Sequence, residues 1–137
     1  MRVFFDSSAF AKRYINEAGT EQVLGWCERA DELVLSVIAL PEMVSAYCRL
    51  QREGRLTPAQ YLQIKQDLMA DLADAMLCDT TPELLQRAVQ ALETSPLRSM
   101  DAIHIGAAQV CEADVFVSAD TRQCAAARAM GLQVVEV

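Results

Sequence analysis

No apolar run in the chain approaches the ~20 residues that a bilayer-spanning helix requires, so no membrane association is expected. The first apolar run, Val3 to Phe5, meets Asp6 after only three residues, which is not a signal peptide. The five cysteines (Cys27, Cys48, Cys78, Cys111 and Cys124) are odd in number and scattered, with no CxxC pair. Neither a zinc site nor a disulfide framework is therefore expected, and reduced thiols in a cytoplasmic protein are the simplest reading. Basic residues are outnumbered, 12 against 19 acidic, for a net charge of −7. That deficit argues against a protein that holds nucleic acid by a broad basic face. It does not exclude a nucleic-acid enzyme, because clustered carboxylates can form a metal site. Histidine occurs once, at position 104, and no internal repeat or low-complexity tract interrupts the chain.

What is present is enough for one globular domain, residues 1–137: the chain is 53% hydrophobic and can bury a core without disulfides or a structural metal. Short β-type runs alternate with longer helical stretches. Strands are predicted at Arg2 to Phe5, Leu33 to Ser36, Met76 to Asp79, Val115 to Ser118 and Leu132 to Val137. Helices are predicted at Ser8 to Ile15, Thr20 to Ala30, Ala39 to Glu53, Thr121 to Met130 and three places between. Thr57-Pro58-Ala59-Gln60 supplies a cap, a first-turn proline and a capping-box glutamine. Tyr61, Ile64, Leu68 and Leu72 follow at helical spacing. Thr81-Pro82 opens a further helix that Ser95-Pro96 breaks. Met100 to Val110 is almost wholly apolar and rich in small residues, as suits a central helix lying close against its neighbours. Strands separated by helices imply a three-layer α/β/α domain, with a central parallel sheet of about five strands and roughly seven helices.

Certain acids fall at informative places. Asp6 follows the first strand, Glu42 lies early in the helix after the second, Asp101 begins the apolar helix, and Asp120 follows the strand at Val115. In a parallel sheet the carboxyl ends of the strands share one edge, where ligands bind. Asp6 and Asp120 could each be helix caps, and Asp101 suits a helix N-terminus. Glu42 needs no capping role. Four like charges drawn together are costly unless a cation neutralises them. Oxygen donors without a His or Cys partner favour Mg²⁺ or Mn²⁺. Ser8 and Ser118 could bond the carboxylates or metal-bound waters; Ser7 reads as a turn residue. His104 reads as a packed or capping histidine rather than a catalytic one.

Basic residues flank the same points: Lys12 and Arg13 after Asp6, Arg98 before Asp101, Arg122 after Asp120, and Arg49 and Arg52 on the helix of Glu42. Arg grips phosphate bidentately, so Lys12, Arg13, Arg98 and Arg122 are candidate substrate contacts, although most exposed charges of this kind only make weak ion pairs.

The segments VFFDSSAFAKRY, LPEMVSAYCRL, LRSMDAIHIGAA and VFVSADTRQCAAARAMGLQVV, in that order, resemble the motifs of PIN-domain ribonucleases. The likeness is greatest to the VapC-type toxins of type II toxin–antitoxin modules. The resemblance implies a Mg²⁺- or Mn²⁺-dependent endoribonuclease whose acidic quartet falls on Asp6, Glu42, Asp101 and Asp120, with supporting hydroxyls at Ser8 and Ser118. It implies hydrolysis of RNA to 5′-phosphate and 3′-hydroxyl ends, and silencing by a cognate VapB-type antitoxin. A homodimer is also expected, with the helices around Ala39 to Glu53 and Tyr61 to Ala75 offering faces for a partner. Two alternatives stand beside this reading. One is a catalytically silent PIN-like binding module, against which the intact acids argue. The other is a Mg²⁺-dependent phosphoacceptor or phosphatase domain, which wants DxD after the first strand, where Asp6-Ser7-Ser8 stands, or a late lysine, where none follows Lys65.

Overall fold

In the run Arg-Val-Phe-Phe, successive side chains point to opposite sides of a strand and nearly all are buried, so both faces of the sheet must be covered. A computed structural model describing residues 1–137 shows how. The strands are β1 (Arg2–Phe5), β2 (Glu32–Ser36), β3 (Met76–Cys78), β4 (Val115–Ser118) and β5 (Val134–Glu136). All pair in parallel, in the order β3-β2-β1-β4-β5. The helices are α1 (Ser7–Phe10), α2 (Thr20–Arg29), α3 (Ala39–Arg52), α4 (Pro58–Asp74), α5 (Pro82–Thr94), α6 (Ser99–Val110) and α7 (Thr121–Ala129). The three-layer α/β/α architecture, with five parallel strands and seven α-helices, is the one the sequence predicts.

The layers follow from the period of the strands. Val3, Phe5, Leu35 and Val117 face one core with Phe10, Met43, Tyr47 and Leu68, which come from α1, α3 and α4. Phe4, Val34 and Phe116 face the other, with Leu84, Ala91, Ile105 and Ala127 of α5, α6 and α7. Phe4 and Phe116 stack across β1 and β4 at 5.5 Å between ring centres. Each fully buried phenylalanine contributes up to about 3 kcal/mol by area. The small residues of α6 have a concrete use: a Cβ on Gly106 would lie 2.8 Å from the Leu84 carbonyl oxygen, so α5 and α6 meet backbone to backbone. The capping box at Thr57 and Gln60 forms as its sequence predicts.

Two stretches depart from expectation. The helix predicted over Ser8 to Ile15 is α1 followed by a 3₁₀ turn at Ala11–Arg13. Asp6 caps α1 from outside, starting it at Ser7, and the Thr20 hydroxyl bonds the Lys12 and Ile15 carbonyls, satisfying them where the chain leaves the turn. Cys78 at the end of β3 and Cys111 at the end of α6 are joined as a disulfide, with Cα atoms 6.8 Å apart. The expectation of five unpaired thiols is thus corrected; the two cysteines lie 33 positions apart, and only the packing of α6 beneath the sheet brings them together. Cys27, Cys48 and Cys124 remain free. No helix is long and apolar enough to cross a membrane.

The strand order places the site. The chain runs outward from β1 through β2 to β3, then returns to build β4 and β5 on the other side of β1. The carboxyl ends of β1 and β4, where the order reverses, therefore border a crevice between diverging connections.

Candidate active site

A cavity of about 380 Å³ opens at that crevice, and Asp6, Glu42, Asp101 and Asp120 all line it, with Ser7, Ser8, Arg49, Arg98, His104 and Gln123. Four acids from positions as distant as 6 and 120 meet because each follows, or lies one turn beyond, the carboxyl end of a strand or the start of a helix on that edge.

Asp6 is the deepest, 1% exposed. Its Oδ1 accepts the Ala9 N–H at 2.8 Å, which caps α1. The Ser8 hydroxyl lies 2.8 Å from both carboxylate oxygens, and the fully buried Ser118 hydroxyl donates to Oδ2 at 2.6 Å. Burial pushes the Asp6 carboxyl above its ordinary range, against the hydrogen bond from Ser118, the charge of His104 and the bonds from Ala9 and Ser8. The end of β1 is tied to the end of β4 by the Ser118 bond to Asp6 and by Ser8, which accepts the Ala119 N–H at 3.0 Å; Ser118 also accepts the Asp120 N–H at 3.0 Å.

Asp120 caps α7, its Oδ1 accepting the N–H groups of Arg122 at 2.9 Å and Gln123 at 3.1 Å. Both cap bonds end on Oδ1, so Oδ2 remains for a ligand. Asp101 stands in the first turn of α6 with Arg98 Nε 3.8 Å from its Oδ2. Burial raises its carboxyl above the ordinary value, and the neighbouring charge of Asp120 raises it further, partly opposed by Arg98. The dipole role expected of Asp101 and the cap role open to Asp120 are therefore real. They coexist with a repulsion that neither role requires.

Glu42 sits in the first turn of α3. Its Oε1 accepts from the Ser7 hydroxyl at 2.7 Å and lies 2.5 Å from His104 Nε2. Burial works to raise this carboxyl, but the His104 hydrogen bond and charge, with Ser7, outweigh it and hold it below the usual range.

The basic candidates divide. Arg98, with its side chain 88% exposed, borders the cavity and two depressions beside it, one shared with Arg49 and one with Arg122. Lys12 and Arg13 do not reach the cavity. Lys12 donates to the Ala18 carbonyl at 2.7 Å and lies 3.5 Å from Glu17, and Arg13 Nε holds Asp71 at 2.8 Å. Both side chains are held by partners outside the cavity, Ala18 and Glu17 for Lys12 and Asp71 for Arg13. The structure does not bring Lys12 and Arg13 to the acids.

Three cavity residues have contacts that the sequence reading does not assign them. Ser7 bonds Glu42 rather than serving only a turn. His104, 2% exposed, is buried as expected of a packed histidine, yet it bonds Glu42; its spacing from Asp101, three residues on one helix face, was the available signal. Gln123, also 2% exposed, donates from its side chain to the Asp101 carbonyl at 3.2 Å and so ties α7 to α6. Nothing in the sequence marks Gln123.

A PIN-domain family model matches residues 3–129. Ribonuclease VapC45 of Mycobacterium tuberculosis is 28% identical over 106 residues, which cover 77% of this chain and 74% of that protein. Among solved structures, a toxin–antitoxin complex from Klebsiella pneumoniae is similar at a TM-score of 0.70 and 16% identity, covering 98% of this chain and 99% of that one. VapC20 of Mycobacterium tuberculosis, described as a sarcin–ricin loop cleaving toxin, is similar at a TM-score of 0.70 and 17% identity, over 98% of each chain.

Proposed function

Because the chain belongs to the PIN-domain family, we propose that it is a divalent-metal-dependent endoribonuclease, the toxin of a type II toxin–antitoxin module. The observation that carries this reading is the convergence of Asp6, Glu42, Asp101 and Asp120 on one cavity at the sheet's switch point.

Mg²⁺ or Mn²⁺ fits the donor set chemically. The carboxylate donors are hard oxygens, and Asp101 and Asp120 oppose each other's charge in a way a cation would relieve. As the side chains stand, no three His, Cys, Asp or Glu groups lie close enough together to hold an ion. Asp6, Asp101 and Asp120 would hold the ion, with Glu42 bound directly or through water. When bound, such an ion offsets charge at the phosphoryl oxygens and lowers the pKa of a coordinated water. Glu42 stays ionised at neutral pH because His104 and Ser7 outweigh its burial, and its Oε2, which makes no hydrogen bond within the protein, would orient the attacking water. Arg98, with Arg122 and Arg49 to either side, would receive the flanking phosphates of a single strand. In-line attack would form a bond from the water oxygen to phosphorus and break the bond to the 3′ oxygen; the water gives up a proton to Glu42 or solvent and the departing oxygen takes one from solvent, leaving 5′-phosphate and 3′-hydroxyl ends. No histidine, serine or cysteine need act as nucleophile.

The partners that accompany this reading are RNA, a VapB-type antitoxin and a second copy of the chain, in the cytoplasm. Exposed apolar side chains, Leu62 and Met69 on α4 and Leu85, Val89 and Leu92 on α5, supply faces that association would cover. The whole chain, 1–137, acts as one domain in this proposal. The test is cleavage of RNA by purified protein with Mg²⁺ or Mn²⁺ and with chelator. Cleavage that needs metal and is lost in Asp6→Asn and Asp101→Asn is expected; cleavage that survives chelation, or survives in both variants, refutes the assignment.

A further inference from the structure

Resting on the nuclease reading, we propose that His104 is a positioning residue of this site, clamping the Glu42 carboxylate for its work on the attacking water. The imidazole is 2% exposed and sits on the central helix α6, with Phe4 edge-on at 6.2 Å between ring centres. An apolar side chain would fill that place without polar atoms to satisfy. The ring's polarity is used at one end only. Nε2 lies 2.5 Å from Glu42 Oε1 and 3.2 Å from the Ser7 hydroxyl, while Nδ1 is buried with no partner at all. A histidine kept for packing, or to cap a helix, would not leave one nitrogen orphaned and aim the other at a carboxylate in the cavity.

The geometry gives the clamp two jaws. Ser7 opens α1 and donates to Oε1 at 2.7 Å; His104 donates to the same oxygen from α6. Glu42 on α3 is thus gripped between helices from opposite faces of the sheet, with Oε2 turned free. A glutamate so held loses little rotational freedom when substrate and water arrive.

Glutamine and methionine have nearly the same shape, but only the glutamine amide can donate at about the reach of Nε2. Kinetics on a short RNA at saturating Mn²⁺ should therefore separate His104→Gln from His104→Met. Methionine is expected to lower kcat by roughly 10- to 100-fold, the usual scale for losing a group that orients a ligand or a reacting residue. KM should change by no more than about 3-fold, and glutamine should recover most of the loss. In a Glu42→Gln background the methionine change should have little further effect, because its target is gone. His104 is the only histidine, so its ring N–H is also readable by nitrogen-15 NMR without metal or RNA. A protected, downfield Nε2–H resonance that is lost in Glu42→Ala is expected. Equal turnover in His104→Gln and His104→Met overturns the inference, as does additivity with Glu42→Gln, or an imidazole spectrum indifferent to Glu42→Ala. If the wild-type chain cleaves no RNA with either metal, the nuclease reading itself falls and takes the positioning role with it, whatever the spectrum shows.

Discussion

Removing the Ser118 hydroxyl tests whether the acidic pocket is built as described. Ser118 is fully buried, donates to Asp6 Oδ2 at 2.6 Å and accepts the Asp120 N–H at 3.0 Å. Ser118→Ala deletes a hydrogen bond to a buried carboxylate and leaves a main-chain N–H without its partner. A bond to a charged group is worth about 1.5–3 kcal/mol, and an unsatisfied donor at least about 1 kcal/mol more. Asp6 keeps Ser8 and Ala9, so a loss of about 3 kcal/mol is expected at pH 7. For 137 residues the unfolding entropy is about 0.29 kcal/mol/K, which makes the drop in Tm roughly 10 °C. The pH dependence has a defined sign. The folded-state pKa of Asp6 is raised above its ordinary 3.8, so its ionisation opposes folding. The stability it allows is full below the ordinary value and is lost as pH rises through the folded value. Without Ser118 the folded value is higher still, so the loss continues further up the pH scale. The gap between variant and wild type should be smallest in acid, where Asp6 is protonated in both, and should widen toward neutrality. Metal-free thermal melts across that range, read by circular dichroism, suffice. A Tm within 2 °C of wild type at pH 7, or a gap that widens toward acid, would refute the reasoning.

Asp101→Asn, in the absence of metal, should leave Tm unchanged or raise it by a few degrees, since burial and Asp120 both oppose its charge; a fall of several degrees would mean the carboxylate's main role is to support α6. Asp71 behaves oppositely: burial opposes its charge, but hydrogen bonds from Arg13 and Tyr14 hold its carboxyl below the usual range. Asp71→Asn should cost about 2 kcal/mol at pH 7, a loss that fades as pH falls through the folded pKa and Asp71 itself takes up a proton. Arg13→Gln should lower stability and leave RNA cleavage as it was, whereas Arg98→Ala should weaken RNA binding and flatten its salt dependence by about one phosphate contact; the reverse pattern would return Arg13 to the substrate path. Alkylation of the denatured, unreduced protein, followed by mass spectrometry, should modify three cysteines, and five would contradict the Cys78–Cys111 pairing.

The architecture was legible because it rests on local patterns. Two-sided burial of β1, β2 and β4, the capping box at Thr57 and the proline starts of α4 and α5 announce themselves over a few residues. The positions of Asp6, Glu42, Asp101 and Asp120 at strand ends and helix starts were equally readable, because parallel strands share one carboxyl edge. Their shared cavity followed from topology rather than from any one motif. The basic residues were not legible in the same way. Lys12 and Arg13 lie six and seven positions from Asp6 and still point elsewhere, because Ala18 and Glu17 hold the one and Asp71, 58 positions on, holds the other.

Sequence alone determined the elements, their assembly into a parallel sheet and the acids at its carboxyl edge, since hydrophobic period and turn chemistry act over short distances; the strand order came from the structure. Tertiary structure alone decided which polar atoms meet: His104 and Ser7 on Glu42, Ser118 on Asp6, Gln123 on the Asp101 carbonyl, and Cys78 beside Cys111. A hydrogen bond is satisfied or lost within a few tenths of an ångström. Contacts of that kind between residues as many as 112 positions apart depend on how the layers pack, which no local pattern encodes.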